Sequence, residues 1–503
     1  MIQRLWSGFR EWGWTLFVVS MPITSMPLVI RLVGSDTVAS PAVPLMAVLL
    51  AGWALPLWLK GAKLPSLTLP LLGFALSAFI SCAAAFFLLI PPNNDISVLR
   101  SEMVALATLL VGMGFYFLTV MMAAGEGKII KSLRLLNLAG FLVIVWCVAQ
   151  AVAWRVFDGY PQWMRDFHDL YSRAPLFNNR VTGFALEPSW LANQLNLLFL
   201  PFWLAASVKR WSAFPWKFLR WFHVEDGLLA GGLICLLLSL SRVGLLAFML
   251  MTAFLALRLN LWLTRWIEGK LSARNIFRGS NEARRKRLLQ ILIGGGLVLF
   301  YLIAIVGLGV VLSRTDPRME DLFNFSLGAR NPILEYANSL NFSTRIVYWQ
   351  AGWGTFNDFP WLGVGLGNAG YYFQQKLDPF AWELVEVRNL VYRSGQLLNT
   401  KCLWVRILAE TGVVGFALFA AWLAVMWKAA DALERTPQPL DSIIGLMGKL
   451  LIVALIMEGF SVDSFALPYI WFSLGLVTAA AWLNLKKLNV GIAGQREDFT
   501  AHG

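Results

Sequence analysis

The sequence predicts an all-α integral membrane protein of about twelve transmembrane helices, with one long periplasmic loop between the ninth and the tenth. Three observations predict it. Apolar residues make up 58% of the 503 and charged residues only 14%, against roughly 45–50% and about 25% in a soluble domain, and the mean hydropathy is +0.63. Apolar stretches of about twenty residues recur along the chain, the length an α-helix needs to cross the hydrocarbon core of a bilayer. The net charge of +13 sits in short connectors between those stretches, where Lys and Arg set orientation and meet anionic lipid head groups. That placement argues against nucleic acid as a partner and for membrane lipids.

Taken in order, the spans fall at about 12–33, 41–59, 67–90, 103–123, 135–154, 186–208, 227–240, 243–257, 288–312, 402–427, 443–460 and 467–485. The first follows Arg4 and Arg10 as a signal peptide would, but its length and the lack of a small-residue cleavage site mark it as a span. Connectors at Lys60/Lys63, Lys128/Lys131/Arg134, Lys209 to Arg220, Arg258 to Arg287 and Lys486/Lys487 are net basic. The positive-inside rule puts these connectors and both termini in the cytoplasm of a bacterial inner-membrane protein. With Arg220 and Arg258 on one side, residues 227–257 must form a tight hairpin whose tip, Ser239-Leu240-Ser241-Arg242, faces outward.

The chain then divides into N-terminal spans with a periplasmic loop near 155–185 (residues 1–185), central spans with basic cytoplasmic connectors (186–312), a long periplasmic loop (313–401), C-terminal spans (402–485) and a cytoplasmic tail (486–503) that reads as disordered after Lys487. In the long loop eight Lys/Arg balance eight Asp/Glu, and Pro317, Pro332, Pro360 and Pro379 break it into short pieces. A loop of that length in a membrane protein is usually a functional cap or binding element.

Cys82, Cys147, Cys235 and Cys402 lie in or at the ends of spans without a C-x-x-C pair, so neither a disulfide nor a zinc site is expected. His168, His223 and His502 are scattered, which removes a metal site and a Ser-His-Asp triad.

Four segments could carry chemistry. In Asn179 to Ser189 an outward loop enters a span through Arg180 and Glu187-Pro188. Ordinary capping explains a carboxylate and a proline there, but Glu187 and Gln194 lie seven residues apart on one helical face with Asn193 beside them, a polar stripe of the kind that faces a cavity. At the hairpin tip Arg242 either snorkels to the interface or grips a phosphate with its planar fork of donors. In the long loop Ser343-Thr344-Arg345 precedes the glycine-rich run from Gly363 through Gly365 and Gly367 to Asn368. Gly365-x-Gly367-x-x-Gly370 matches a dinucleotide fingerprint only formally, since no parallel strand precedes it, and dense glycine instead allows a tight turn and close backbone approach. Where the chain re-enters the membrane, Asn399-Thr400-Lys401-Cys402 leads to Arg406 and Glu410, four residues apart and able to pair along a helix.

In this order the four segments resemble the O-antigen ligase and polymerase superfamily, the WaaL ligases and Wzy polymerases. The resemblance rests on R-x-T-G-F-x-x-E-P-S, S-x-S-R, T-R-x-x-x-W followed by P-x-L-G-V-G-x-G-N, and L-x-E-T-G-x-x-G, covering about residues 175–425. It implies a membrane glycosyltransferase, independent of metal and cofactor, that works at the periplasmic face on oligosaccharides carried by undecaprenyl diphosphate, with a chain-length regulator as an expected partner. Arg242 and Arg345 match the family arginines thought to hold the lipid diphosphate, and the Gly363–Asn368 loop matches the segment that shapes the site. Ligases usually open the last motif with His-Asn, the histidine acting as base. Lys401-Cys402 stands in that place here, and an ammonium is a poor base. The Phe184 to Ser189 segment is more similar to polymerases.

The sequence therefore points to a Wzy-type polymerase. The catalytic set is Glu187 as base with Arg242 and Arg345 on the diphosphate. Arg180, Gln194, Gly365, Gly367, Asn368, Asn399, Lys401 and Glu410 are the substrate-binding candidates. A ligase that transfers the glycan to lipid A-core is the alternative. A transporter of a lipid-linked sugar is a further one, disfavoured by the single long outward loop and the lack of two matching halves with broken helices.

Overall fold

The computed structural model describes residues 2–33, 39–93, 96–215, 222–273, 282–314, 342–393 and 397–501. Among them the only β-structure is an isolated bridge between Ser25 and Ala39; the architecture is helical throughout. Among the described residues nine helices are long and apolar enough to cross a bilayer: α3 (Ala42–Leu59), α4 (Ser66–Ala85), α5 (Val98–Met122), α6 (Glu126–Phe157), α8 (Pro188–Lys209), α10 (Arg242–Ala273, apolar over Arg242–Trp262), α15 (Leu403–Glu434), α16 (Pro439–Glu458) and α17 (Pro468–Ala501, apolar over Pro468–Lys487).

The other three expected spans take different forms. The first is two helices, α1 (Ile2–Ser20) and α2 (Pro27–Val33), because Pro22 and Pro27 interrupt the apolar run. The seventh is α9 (Val224–Ser239), only 16 residues, about 24 Å at 1.5 Å per residue and short for a core of about 30 Å. The ninth is α11 (Glu282–Ser313), whose apolar part is Gln290–Ala304. The expected hairpin is present: α9 stops at Leu240, which takes a left-handed backbone (φ 50°), and α10 starts two residues later.

The connections carry more structure than loops. Between α6 and α8 lies α7 (Gln162–Tyr171), which buries Met164, His168 and Tyr171. Between α11 and α15, residues 315–341 lie outside the described set. The rest of that segment folds into α12 (Ser343–Asp358), α13 (Ala369–Lys376), a 3₁₀ turn at Pro379–Glu383 and α14 (Val385–Arg393) around a small apolar core of Val347, Tyr348, Val364, Phe373, Val387 and their neighbours. The tail departs from its expected disorder: α17 runs on to Ala501, because Leu, Lys, Gln, Arg and Glu prolong a helix that is already nucleated.

Burial separates the centre of the bundle from its rim. In α8 and α16, 83% of the apolar window is buried, against 22% in α10 and 28% in α3. α16 packs against α8, α10, α15 and α17, so it is the axis on which the rest is assembled. The chain alternates in direction around this axis. One end of the bundle therefore gathers the C-terminus of α16 with the N-termini of α8, α10 and α15, and the other end gathers the reverse set.

Candidate functional site

At the end of the bundle where α16 finishes, several helix N-termini meet, and hydrogen bonds document the meeting. The Glu458 carboxylate that closes α16 accepts from Asn193 Nδ2 at 3.1 Å and Asn196 Nδ2 at 2.6 Å, both on α8. Asn196 Nδ2 also donates to the Gly244 carbonyl in the first turn of α10, at 2.8 Å. The Leu403 N–H that begins α15 donates to the Gly459 carbonyl at 2.6 Å. Gln194 Nε2 reaches the hydroxyl of Tyr469, in the first turn of α17, at 3.3 Å. Helix N-termini carry partial positive charge and free N–H groups, so this end favours an anion before any side chain is counted.

Arg345, in the first turn of α12, adds a full charge. Its Nη1 donates to the carbonyls of Ser461 (3.1 Å), Phe460 (3.2 Å) and Lys401 (3.4 Å). The carboxylates of Asp463, Glu386 and Glu187 act on it through space, but burial outweighs them and holds the guanidinium below its ordinary value. Arginine stays charged under such a shift. Lys401, in a left-handed backbone (φ 47°), pairs its ammonium with Glu386 and lies 5.4 Å from the centre of the Tyr348 ring. Glu187 is the N-cap residue of α8. It is exposed, and it accepts from Ser189 Oγ at 3.2 Å.

The structure thus brings Glu187, Arg345 and Lys401 into one electrostatic neighbourhood. Arg242 stands half-buried as the first residue of α10, two residues before the Gly244 carbonyl that Asn196 holds. Arg180 braces the hairpin: its Nε donates to the Ser239 carbonyl at 2.9 Å, beside a main-chain bond from Val181 N–H to Leu238. Asn399 is exposed on the approach to Lys401. The expected polar stripe divides, since Glu187 faces the outside while Asn193 and Gln194 point inward at Glu458 and Tyr469. The helix widens into a π turn at Leu195–Phe199 immediately after them, a feature frequent at functional sites.

The glycine-rich run occupies a different place. Gly365, Gly367 and Asn368 lie against α4, α5 and α15, with Asn368 fully buried. Gly365 and Gly367 both have φ +91°, and a Cβ on Gly367 would stand 2.8 Å from the Ala105 Cβ and the Ser101 carbonyl. The loop bonds to α15 where that helix breaks at Gly412 (φ 65°), through Val364 N–H to Ala409 (3.1 Å), Gly365 N–H to Glu410 (3.0 Å) and Val413 N–H to Pro360 (2.8 Å). Non-helical backbone at such depth is tolerated because protein covers it. Asn368 Nδ2 donates to Glu102 Oε1 at 2.6 Å. The Glu410 carboxylate takes Arg406 Nε at 2.9 Å, and Arg406 Nη1 reaches on to the Asp463 carbonyl at 2.7 Å. This inner brace holds the 459–463 turn from below and touches Arg345 only through it.

Sequence reasoning missed Glu458, Asp463, Glu386 and Asn196. A carboxylate at the end of an otherwise apolar span was a visible signal for Glu458, because intramembrane ionisable residues usually serve a purpose. Asp463 and Glu386 carry no such mark, since only folding brings residues 386, 401 and 463 beside residue 345.

Comparison with known proteins adds one finding. Residues 227–420 match the O-antigen ligase family, and no curated protein matches the chain. The match runs from α9 into α15 and takes in Arg242, Arg345, the glycine loop, Lys401 and Glu410. It supports placing the chain in the O-antigen ligase and polymerase superfamily, whose members are glycosyltransferase-like enzymes of polysaccharide biosynthesis acting on lipid-linked oligosaccharides.

Proposed function

We propose that this superfamily member is a Wzy-type polymerase, moving a growing glycan from undecaprenyl diphosphate to a lipid-linked repeat unit at the periplasmic face of the inner membrane. The observation that carries the proposal is Arg345. Among the described residues its guanidinium is bonded by three main-chain carbonyls and by no carboxylate, at the end of the bundle where four helix N-termini also point.

In the proposed step the acceptor hydroxyl attacks the anomeric carbon of the donor sugar. The bond from that carbon to the phosphate oxygen breaks, and the diphosphate leaves with the electron pair. Arg345 and Arg242 stabilise the charge that grows on the leaving group, where preformed donors contribute most. Glu187, exposed and electrostatically close to Arg345, takes the hydroxyl proton. Asn399, which is exposed, is the proposed glycan contact, while Arg180, Gln194, which is buried against Tyr469 rather than open to substrate, Gly365, Gly367, Asn368 and Glu410 hold the walls in place.

Two points favour polymerase over ligase. Lys401, which stands where ligases carry their basic histidine, is engaged with Glu386 as an ion pair and has no lone pair to offer. Glu187 lies in the segment most similar to polymerases and electrostatically close to Arg345. The test is incubation of the purified protein in liposomes with lipid-linked repeat units. Longer lipid-linked glycans support the proposal. Product only when lipid A-core is supplied means a ligase, and movement across the membrane without covalent change means a transporter.

A further inference from the structure

We infer that Glu458 is a positioning residue that sets the spacing of Arg242 and Arg345 for the transfer proposed above, on which this inference rests. Glu458 is 1% exposed and is the last residue of α16. A carboxylate removed from water in this way needs hydrogen-bond donors, and the two it has lead in one direction. Asn193 and Asn196 sit three residues apart on α8, one on each carboxylate oxygen. Asn196 spends its second amide hydrogen on the Gly244 carbonyl, which fixes the first turn of the helix that Arg242 begins.

The main chain leaving Glu458 leads to the other arginine. Ser461 N–H and Val462 N–H fold back onto the Glu458 carbonyl at 2.9 and 3.1 Å. That turn presents the carbonyls of Phe460 and Ser461 to Arg345. The two arginines, 103 positions apart by number, are therefore joined by a short path: Arg242, Gly244, Asn196, Glu458, the 460–461 carbonyls, Arg345. Each link is a hydrogen bond or one or two residues of backbone. Glu458 is the residue at which the two halves of the path meet, its carboxylate on the α8 side and its main-chain carbonyl on the Arg345 side. It is closed to bulk solvent and lines only a small cavity beside Asn193 and Tyr469, and the part we assign it is to hold the cations at the separation a diphosphate needs, where a shift of about 1 Å can cost a hundredfold in rate.

The chemistry of the amide gives a test that separates geometry from charge. In Glu458→Gln the new carbonyl accepts from Asn196, and Asn193 can turn its own amide over to accept from the new NH₂, so the path survives without the charge. In Glu458→Leu both asparagines lose their partner. Asn196→Ala cuts the same path from the α8 side and serves should the leucine variant fail to accumulate in the membrane. In the liposome polymerisation assay we expect Glu458→Gln to stay within about fivefold of wild type, while Glu458→Leu and Asn196→Ala lose about a hundredfold in kcat with a much smaller change in KM for the donor. Equal losses in the glutamine and leucine variants would show that the charge or a proton matters and overturn the positioning role, and wild-type kcat in Asn196→Ala would overturn it as well.

Spin labels at Val243 and Thr344, each the neighbour of one arginine, give a readout that needs no polymerase activity. Their separation should keep its wild-type value and width in Glu458→Gln and shift or broaden in Asn196→Ala. An unchanged distribution in Asn196→Ala refutes the inference even if polymerisation is confirmed, and a changed one supports the path even if the liposome assay shows no glycan transfer.

Discussion

The two ends of the bundle use charge in opposite ways. At the end where α15 turns into α16, the Glu434 side chain is only 5% exposed and is surrounded by cations: Arg258 binds it with both arms at 2.8 and 2.9 Å, Lys449 approaches to 3.1 Å and Lys209 to 3.4 Å. Asp431 takes Lys449 again and Arg435. Side chain meets side chain, and every one of these cations has a carboxylate as its partner. At the opposite end Arg345 gives its hydrogen bonds to peptide carbonyls, and the carboxylates that influence it act from further off. Carbonyl dipoles orient a guanidinium without cancelling its charge. The first arrangement ties helices together, and the second keeps a cation in place for something that is not part of the chain.

The largest expected effect breaks the second arrangement. Arg345→Ala should abolish polymerisation, by at least a thousandfold in liposomes, with protein still in the membrane. Arg345→Lys should recover little of it, because a point charge does not reproduce the planar fork. Arg242→Ala belongs beside it, with a loss of similar order.

Next comes the proton. Glu187→Gln keeps shape and hydrogen bonding but removes basicity, and should lower turnover by about a hundredfold while lipid-linked substrate still binds. Near-normal turnover in Glu187→Gln together with a collapse in Lys401→Ala would move the base to the start of α15 and favour the ligase reading.

The closed end should respond in the other currency. Glu434→Gln leaves Arg258 and Lys209 without their carboxylate and Lys449 with Asp431 alone, and the loss should approach but not exceed the roughly 3–5 kcal/mol of breaking a fully buried pair. Thermal unfolding in detergent should fall clearly, while turnover per folded molecule stays within about twofold. At the bottom of the scale, Arg435→Ala removes an arginine that is 79% exposed, and stability should stay within about 0.5 kcal/mol of wild type.

The comparison also has an orientation, which cysteine labelling can sharpen. The orientation we propose from the basic connectors has the Glu434 end in the cytoplasm. Gln375→Cys on α13 should react with a membrane-impermeant reagent from the periplasm, and Thr436→Cys between α15 and α16 should not. The reverse pattern would put the open end on the wrong side for a glycan donor held in the outer leaflet.

How far this was legible in the sequence follows from the range of each signal. Spans are written in runs of about twenty apolar residues, and among the described residues nine of them stand as helices long enough to cross. The 227–257 hairpin was forced by the charges at its flanks and is present. The pairing of Arg406 with Glu410 was visible because four residues is one helical turn. The break of the first span at Pro22 and Pro27 was also written there, but overall apolarity hid it. The glycine loop announced close backbone approach, yet its partners at Ser101, Ala105 and Glu410 lie far away in sequence, so packing could not be told from binding. Glu458 and Asp463 gain meaning only when α16 docks on α8 and the turn after it meets α12.

The most direct test of the open-end account is equilibrium binding of undecaprenyl diphosphate to the protein in lipid nanodiscs, comparing wild type, Arg345→Ala and Glu434→Gln. A hydrogen bond to a charged group contributes about 1.5–3 kcal/mol, so Arg345→Ala should weaken binding by about ten- to a hundredfold while folded Glu434→Gln binds as wild type does. Wild-type affinity in Arg345→Ala, or an equal loss in Glu434→Gln, would contradict the assignment of the lipid diphosphate to the Arg345 end.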